Sequence, residues 1–374
     1  MSTATQVRQP RHPVDRTPDD FVVLFASAAS SVALTWLIFT RFTDGVGWFG
    51  FLVVAYALFL VTFYLVTFER LGPLVALDRL VSTLVLSGAV VLLVPLVLLV
   101  SYVFGRGLHA LRPGFLIHDQ RGITPIQPAT AGGGSHAVVG TFEQVGLALV
   151  WALPLGLITA VFLNESRSRW RRLVRIIVDA MSGIPSVVAG LFIFAVLILP
   201  LARKSTIFGF NGLMASLALA LIMLPTITQT VTVVLRLVAD GLREAGLALG
   251  ASKARMVWSI VLPTARTGIT TAVVLGIARA VGETAPLLFT AFGYDLMNAN
   301  PASGAQESLP LFVFRNIQKP DISAVDRGFA GALLLLIIVL SLFVVARIIG
   351  GDRSRRTKRL ARIRAVLSPR GAHP

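Results

Sequence analysis

The sequence predicts an all-α polytopic membrane protein, and three observations support this prediction. Apolar residues make up 55% of the 374 residues and charged residues only 14%, against roughly 25% charged in an ordinary soluble domain. The mean hydropathy is +0.79, which a nucleic-acid binder would not combine with the net charge of +16. A disordered chain would be poorer in apolar residues, and a disulfide scaffold would need cysteine, which the sequence lacks.

Eight apolar windows are long enough to cross a bilayer, whose hydrocarbon core of about 30 Å needs roughly 20 residues of helix. They are residues 21–40, 47–67, 80–104, 137–163, 178–201, 211–235, 269–291 and 328–349. Residues 1–20 show no short apolar run followed by a small-residue cleavage site. We therefore expect these residues to be a tail and the first window to be a retained helix.

Lys and Arg residues are distributed unevenly between the windows, and this distribution predicts the orientation. One set of segments, which includes both ends of the chain, carries 24 of them, and the opposite set carries 9. The bias predicts that both termini are cytoplasmic. We expect the basic tail 350–374 to lie against anionic lipid headgroups. The tail lacks the interleaved aromatic residues that base stacking would use, so no nucleic-acid partner is expected.

The predicted cytoplasmic loop 236–268 is rich in alanine and too apolar to be a solvated linker. Residues 244–249 are predicted to form a short helix that stops at Gly250. A second amphipathic helix is predicted for residues 252–260, ending at Pro263. Two short helices at an angle at the inner membrane face would suit a cytoplasmic partner that receives a helix in a groove.

This loop resembles the EAA loop of ABC-importer permeases, which reads Glu-Ala-Ala, three residues, Gly, nine residues, Ile, one residue, Leu-Pro. Six residues fall in that register: Glu244, Ala245, Gly250, Ile260, Leu262 and Pro263, with Gly246 at the third position. In that family the loop forms coupling helices that insert into the ATPase subunit. The resemblance therefore implies a set of coupling residues: Glu244, Ala245, Gly246, Gly250, Leu262 and Pro263. An unrelated interfacial hairpin is the alternative.

Two ionisable residues, Arg279 and Glu283, lie four positions apart in the seventh window. On one helix they would share a face, a single turn apart. Ionisable groups at membrane depth cost several kcal/mol unless they are paired or wetted, so they mark a pathway or a site. Two interpretations stay open. Either the charges neutralise each other, or Arg279 offers a bidentate guanidinium to an oxyanion while Glu283 orients it or binds a phosphate hydroxyl.

Residues 279–290 resemble the RA-x-GETAPLLFT signature of phosphate-specific ABC permeases of the PstA type, and residues 183–192 resemble that subfamily's GxPSIVxGLF segment. The resemblance covers about residues 80–349. It implies a type I ABC-importer permease core of six transmembrane helices, with two extra helices and a linker in residues 21–79. It also implies that Arg279, Glu283 and Thr284 line a translocation pathway.

The function implied by this resemblance is that of the transmembrane permease subunit of an ATP-driven phosphate importer in the bacterial cytoplasmic membrane. The subunit would form half of the pathway and couple it to the ATPase by alternating access. The implied partners are a second permease of PstC type, two copies of a cytoplasmic ATPase of PstB type, an extracytoplasmic phosphate-binding protein of PstS type, and membrane lipid. An ABC permease for sulfate or molybdate, an intramembrane enzyme and a sensory membrane protein are the alternatives.

The sequence contains neither a P-loop nor the zinc-protease and nucleophile-elbow motifs. The five histidines all lie outside the eight windows. We therefore expect no catalytic residue, no metal site and no bound cofactor in this chain. ATP and Mg²⁺ would be used by the partner ATPase.

Overall fold

The computed structural model describes residues 18–42 and 47–367, in which helices alternate with loops and one isolated β-bridge joins Phe292 to Gln306. Within these ranges seven helices are long and apolar enough to cross a membrane, and one bent helix pair passes the same test as a unit. The predicted all-α polytopic class is therefore confirmed. The ends of the two predicted tails, residues 1–17 and 368–374, lie outside the described residues.

The chain divides into two compact units, residues 1–99 and 100–374. The first contains α1 (Pro18–Phe42), α2 (Trp48–Leu71) and most of α3 (Pro73–Ala110). Buried hydroxyl side chains in this unit donate to carbonyls of the preceding turn, as Thr35 does to Ser31 O at 2.7 Å and Thr67 to Phe63 O at 2.7 Å. Such local bonds satisfy polar groups without water.

The second unit is built around α8 (Gly212–Arg236), which packs between α4 (Ser135–Glu165) and α11 (Leu262–Val281). Small residues allow the close approach: a Cβ added at Gly156 or Gly276 would meet the Ile227 side chain at 3.0 Å or 2.9 Å. Membrane helices associate largely through such small-residue contacts, because lipid tails provide no hydrophobic driving force. The backbones of α4 and α11 therefore approach the Ile227 side chain of α8 directly, at Gly156 and Gly276.

The fifth predicted window, 178–201, is not one straight span. It is a helix pair bent by 105° between α5 (Trp170–Ser182) and the stretch Ser186–Leu201. That stretch comprises α6 (Ser186–Ile193), a π turn (Phe194–Ile198) and α7 (Leu199–Leu201). Pro185 explains the bend, because it lacks an N–H and disfavours helical backbone at the residue before it.

Pro263 does not end a helix, contrary to the prediction. The helical stretch Lys253–Val281 continues through it, from α10 (Lys253–Met256) and a π turn (Val257–Val261) into α11. The wide turn accommodates the proline, because the preceding backbone has already left the i→i−4 pattern that the ring would break. The same sequence of π turn, leucine and proline occurs at Leu199-Pro200.

The seventh predicted window, 269–291, ends early. Helix α11 stops at Val281, and a separate short helix, α12 (Ala285–Leu288), follows. The eighth window falls on α14 (Ile322–Leu367), whose stretch Ile322–Val345 is of membrane length. The remaining helices are α9 (Asp240–Ala248) and α13 (Leu309–Ile317).

A buried arginine fixes the loop between α3 and α4. Arg327 in α14 is 1% exposed, and its guanidinium donates to four carbonyl oxygens at 3.1–3.2 Å. These carbonyls belong to Thr124, Pro125, Gln127 and Pro128. The loop is thereby held in place by one side chain.

Candidate functional site

Arg279 lies in the last turn of α11, on the exposed surface of the second unit. Its Nη1 donates to Thr226 Oγ1 on α8 at 3.1 Å. Thr226 directly follows Pro225, which lies inside α8. The guanidinium is thus oriented by a neighbouring helix and keeps further donors for a ligand.

Glu283 does not share a helix face with Arg279, contrary to the prediction. Helix α11 ends at Val281, and Glu283 and Thr284 form the connection to α12, where both are half-buried. The break has a local cause, because Pro286 opens α12 and has no N–H to continue the preceding helix. Among the ion pairs between described residues, Arg279–Glu283 does not occur, so the two charges do not neutralise each other in this conformation.

The two segments that resemble the phosphate-permease signatures meet in space. Gly190 of α6 lies against Pro286 of α12: a Cβ added at Gly190 would lie 2.5 Å from Pro286 Cα and 2.7 Å from its carbonyl oxygen. A side chain at position 190 would therefore force the helices apart. The sequence placed these segments about a hundred residues apart and did not predict this contact.

A polar cluster that we did not predict as a site joins α5 to α8. Gln229 Nε2 donates to Asp179 Oδ1 at 3.2 Å and to Ser182 Oγ at 3.3 Å. Asp179 and Gln229 are exposed and Ser182 is half-buried. Gln229 follows Thr226 by three positions, so this cluster and Arg279 use neighbouring positions of one α8 face. The signal in the sequence that could have indicated this cluster is Gln229, a polar residue within the apolar window 211–235 and three positions after Thr226.

The predicted coupling residues lie on α9 and on the turn and helix that follow. Glu244 and Ala245 are exposed, and Gly250 ends the first helix with φ of +82°, a left-handed conformation that favours glycine. Gly246 is buried, where an added Cβ would lie 2.6 Å from Ile260 Cδ1. Farther along, Leu262 is buried and Pro263 is exposed.

The predicted coupling segment, residues 240–263, presents apolar side chains that the described residues leave uncovered. Leu249 is 89% exposed and Trp258 64% exposed, and Leu247 is exposed as well. Because large apolar groups cluster here beside the exposed carboxylate of Glu244, the segment has the composition of a protein-docking surface.

Arg243, to which the sequence analysis gave no role, ties α9 to the membrane helices. Its Nη2 donates to Leu235 O and its Nη1 to Val238 O, both at 2.7 Å. Its Nε lies 3.3 Å from Glu165 Oε1 at the end of α4. The guanidinium thus bonds to one carbonyl in the last turn of α8 and to one just after that helix.

A buried polar network holds the loop between α12 and α13. Glu307 is 2% exposed, accepts from Arg315 Nη1 at 2.6 Å and has its pKa raised to about 7, because burial disfavours the carboxylate more than Arg315 stabilises it. Gln306 Nε2 donates to Glu143 Oε2 at 2.5 Å, and Gln144 Nε2 donates to Gln306 Oε1 at 3.0 Å. These contacts fasten the loop to α4.

Metal-ligand clusters of three or more His, Asp or Glu side chains do not occur among the described residues.

Comparison with known proteins gives one family and several relatives. The model of the family described as "Binding-protein-dependent transport system inner membrane component" matches residues 152–357. The phosphate transport system permease protein PstA 1 of Mycobacterium tuberculosis is 39% identical over 279 residues, which cover 74% of this chain and 88% of that protein. PstA of Yersinia pestis is 36% identical over 229 residues, 59% of this chain and 74% of that protein. A solved structure of the MetNI methionine ABC transporter in an inward-facing conformation is 20% identical with a TM-score of 0.44, covering 57% of this chain and 91% of that chain.

Proposed function

This chain belongs to the family of binding-protein-dependent transport system inner membrane components, and on that premise we propose that it is the transmembrane permease subunit of an ATP-driven phosphate importer. The observation that supports the substrate is the 39% identity to a phosphate transport permease across 88% of that protein's length. The subunit would form half of the translocation pathway. It would also couple conformational change in that pathway to ATP hydrolysis by a cytoplasmic ATPase.

Arg279, Glu283 and Thr284 are proposed to line the pathway. An exposed guanidinium among membrane-length helices would be costly against lipid, so it calls for water or a partner chain. A phosphate anion entering a low-dielectric pore needs a counter-charge for the same reason. The surface around Arg279 would therefore face a second permease subunit of PstC type, with the anion passing between the two. One arginine per subunit would bind phosphate weakly, as a transit site requires.

The coupling surface is proposed to receive an ATPase of PstB type, of which the importer would contain two copies. Leu247, Leu249 and Trp258 would insert into its groove, and buried Gly246 allows α9 to pack closely on the following helix. Nucleotide and Mg²⁺ would be bound and hydrolysed by the ATPase. In this arrangement both termini are cytoplasmic, and a binding protein of PstS type delivers phosphate to the opposite face.

Uptake of radiolabelled phosphate by cells that depend on this importer tests the pathway. Arg279→Ala should reduce uptake to near background, and Arg279→Lys should restore part of it, because the charge returns without the bidentate geometry. Arg41→Ala is the matched control, since Arg41 is an exposed arginine at the end of α1. Normal uptake by Arg279→Ala would contradict the proposal. Inhibition by sulfate or molybdate as strong as that by unlabelled phosphate would favour a permease for another oxyanion.

Copurification tests the coupling surface. Glu244→Arg should abolish recovery of the ATPase with the membrane subunits in gentle detergent. Glu69→Arg, the same exchange at an exposed position in the last turn of α2, on the predicted cytoplasmic side, should leave recovery unchanged. Equal loss of the ATPase in both variants, or in neither, would argue against docking at α9.

A further inference from the structure

Asp179, Ser182 and Gln229 form a polar cluster that joins the amphipathic helix α5 to the largely apolar helix α8. The donor is Gln229 Nε2, which bonds to both Asp179 Oδ1 and Ser182 Oγ, while Ser182 Oγ itself donates to Asp179 O at 2.7 Å. Within the described part of the chain, Asp179 forms no ion pair, and its second carboxylate oxygen accepts no hydrogen bond. The cluster therefore presents a carboxylate that forms no ion pair with the described residues, although Arg175 lies one turn earlier on α5.

The depth of the cluster argues against contact with lipid. Helix α8 has 25 residues, about 37 Å of length at about 1.5 Å per residue, against a hydrocarbon core of about 30 Å. Gln229 lies seven positions before Arg236, so it is about 10 Å from that helix end and within the apolar layer. Ser182 is the last residue of α5, at the 105° bend. Non-helical backbone at this depth is tolerated only inside protein or beside water.

The cluster also has a defined position relative to Arg279. Thr226, which accepts the Arg279 hydrogen bond, precedes Gln229 by three residues on α8. Gln229 therefore lies about 4.5 Å farther along the axis of α8 than Thr226, in the direction of Arg236 and the predicted coupling segment. An anion that moves from Arg279 toward the predicted cytoplasmic side would encounter Asp179 next.

We propose that Asp179, Ser182 and Gln229 line the anion pathway between Arg279 and the cytoplasm, and that the Asp179 carboxylate promotes release by repelling an anion that has left Arg279. This inference rests on the proposed function. Gln229 has a positioning role, because its amide holds the carboxylate on the α8 face that carries Thr226. Phosphate would first be attracted by Arg279 and then repelled by Asp179, so it is not retained after the pathway opens inward.

Water accessibility is the first test, and the absence of cysteine from the chain makes it direct. Ser182→Cys would be introduced into the assembled importer, with partner subunits free of cysteine, in inside-out membrane vesicles treated with a charged maleimide. The thiol should be modified in at least one nucleotide state. Leu98→Cys, on an exposed apolar surface of α3, should remain unmodified. Arg70→Cys, at an exposed position in the last turn of α2 on the predicted cytoplasmic side, should react fully. A Ser182→Cys thiol as inert as that of Leu98→Cys in every nucleotide state would overturn the proposal.

Inhibition by phosphate on the product side is the second test. The importer would be reconstituted in proteoliposomes with ATP inside, and the internal phosphate concentration that halves the initial uptake rate would be measured. In Asp179→Asn this concentration should be about tenfold lower than in the wild type. A factor of that order is the effect of one unit charge at a separation of roughly 10 Å and an effective dielectric constant of about 20. Asp78→Asn, at an exposed position of α3, should not change it. A structural defect would lower the rate without shifting this concentration. An unshifted concentration for Asp179→Asn would overturn the release role.

The proposed function and the release role of Asp179 can be refuted separately. If wild-type importer transports phosphate, Arg279→Ala does not, and both tests above are negative, the proposed function stands and the inference is wrong. If wild-type importer transports no phosphate while Ser182→Cys is modified, the proposed substrate is wrong and the cluster still lines an aqueous pathway.

Discussion

Replacement of Arg243 by alanine should release α9 from the helices that hold it. The guanidinium is 15% exposed and makes two 2.7 Å bonds to carbonyls and a 3.3 Å contact with Glu165, which is 21% exposed. Its bond to Asp240 adds little, because Asp240 is 88% exposed. Hydrogen bonds to charged groups contribute about 1.5–3 kcal/mol each when buried, and water can replace part of the loss here. We expect a local loss of about 3 kcal/mol, which corresponds to an increase of more than about a hundredfold in the opening of α9.

Hydrogen exchange of the α9 amides, measured on the full-length chain with its partner permease in nanodiscs, checks this expectation. Protection of α9 should fall by about two orders of magnitude in Arg243→Ala, while the amides of α8 around Ile227 should keep their exchange rates. Arg255→Ala is the matched control, because Arg255 is an exposed arginine of the same loop whose side chain makes no hydrogen bond or ion pair to the described residues. If both variants exchanged at the same rate in α9, Arg243 would not be its anchor.

Three further predictions concern the loops between helices and the helix contacts. Burial raises the pKa of Glu307 from its ordinary 4.5 to about 7, so the folded state binds more protons than the unfolded state between these pH values. The stability of the folded state therefore falls as pH rises through this interval. Glu307→Gln should flatten this pH dependence in thermal unfolding, and an unchanged slope would contradict the assignment. Gly140→Ala should destabilise the protein by about 1–3 kcal/mol, because the methyl group would meet the carbonyl oxygen of Glu307, whereas Gly146→Ala on the same helix has open space and should be neutral or slightly stabilising in the same unfolding assay. Arg327→Met should expose residues 124–128 to limited proteolysis, because the four hydrogen bonds from the guanidinium to their carbonyl oxygens are lost. Cleavage no faster than in the wild type would show that Arg327 is not needed to keep the loop folded.

Most of the helices were predictable from hydropathy, because a run of about 20 apolar residues has no other stable arrangement in a bilayer. Hydropathy could not distinguish a straight span from a bent pair, since residues 178–201 have the same composition in either case. The prolines indicate where a helix can bend, but a proline is compatible with either a bend or a continuous helix. Pro185 lies at a sharp bend, whereas Pro263 lies inside a continuous helix that a π turn prepares. Which outcome occurs depends on the packing around each proline.

The candidate site was only partly predictable, because its contacts join distant parts of the chain. The hydrogen bond from Arg279 to Thr226 spans 53 positions, and that from Gln229 to Asp179 spans 50. Spacing alone placed Arg279 and Glu283 on one helix face, and it could not anticipate that α11 ends between them. Helix α9 and the turn after it were predictable because their signals are local: Gly250 supplies the left-handed turn, and Ser252 Oγ accepts from Arg255 N at the start of the next helix.

The two breaks in the membrane helices explain why polar groups gather on one face. Ser182 ends α5 just before the first break, and Glu283 lies within the second, between α11 and α12. The helices that follow the two breaks meet at Gly190 and Pro286, so the breaks belong to one region of the second unit. Each break frees backbone groups that lipid cannot satisfy, and a closed bundle would bury them at a cost of several kcal/mol each. A region that concentrates such groups together with exposed polar side chains is stable only beside water or a partner chain, and the pathway proposed between two permease subunits would provide both.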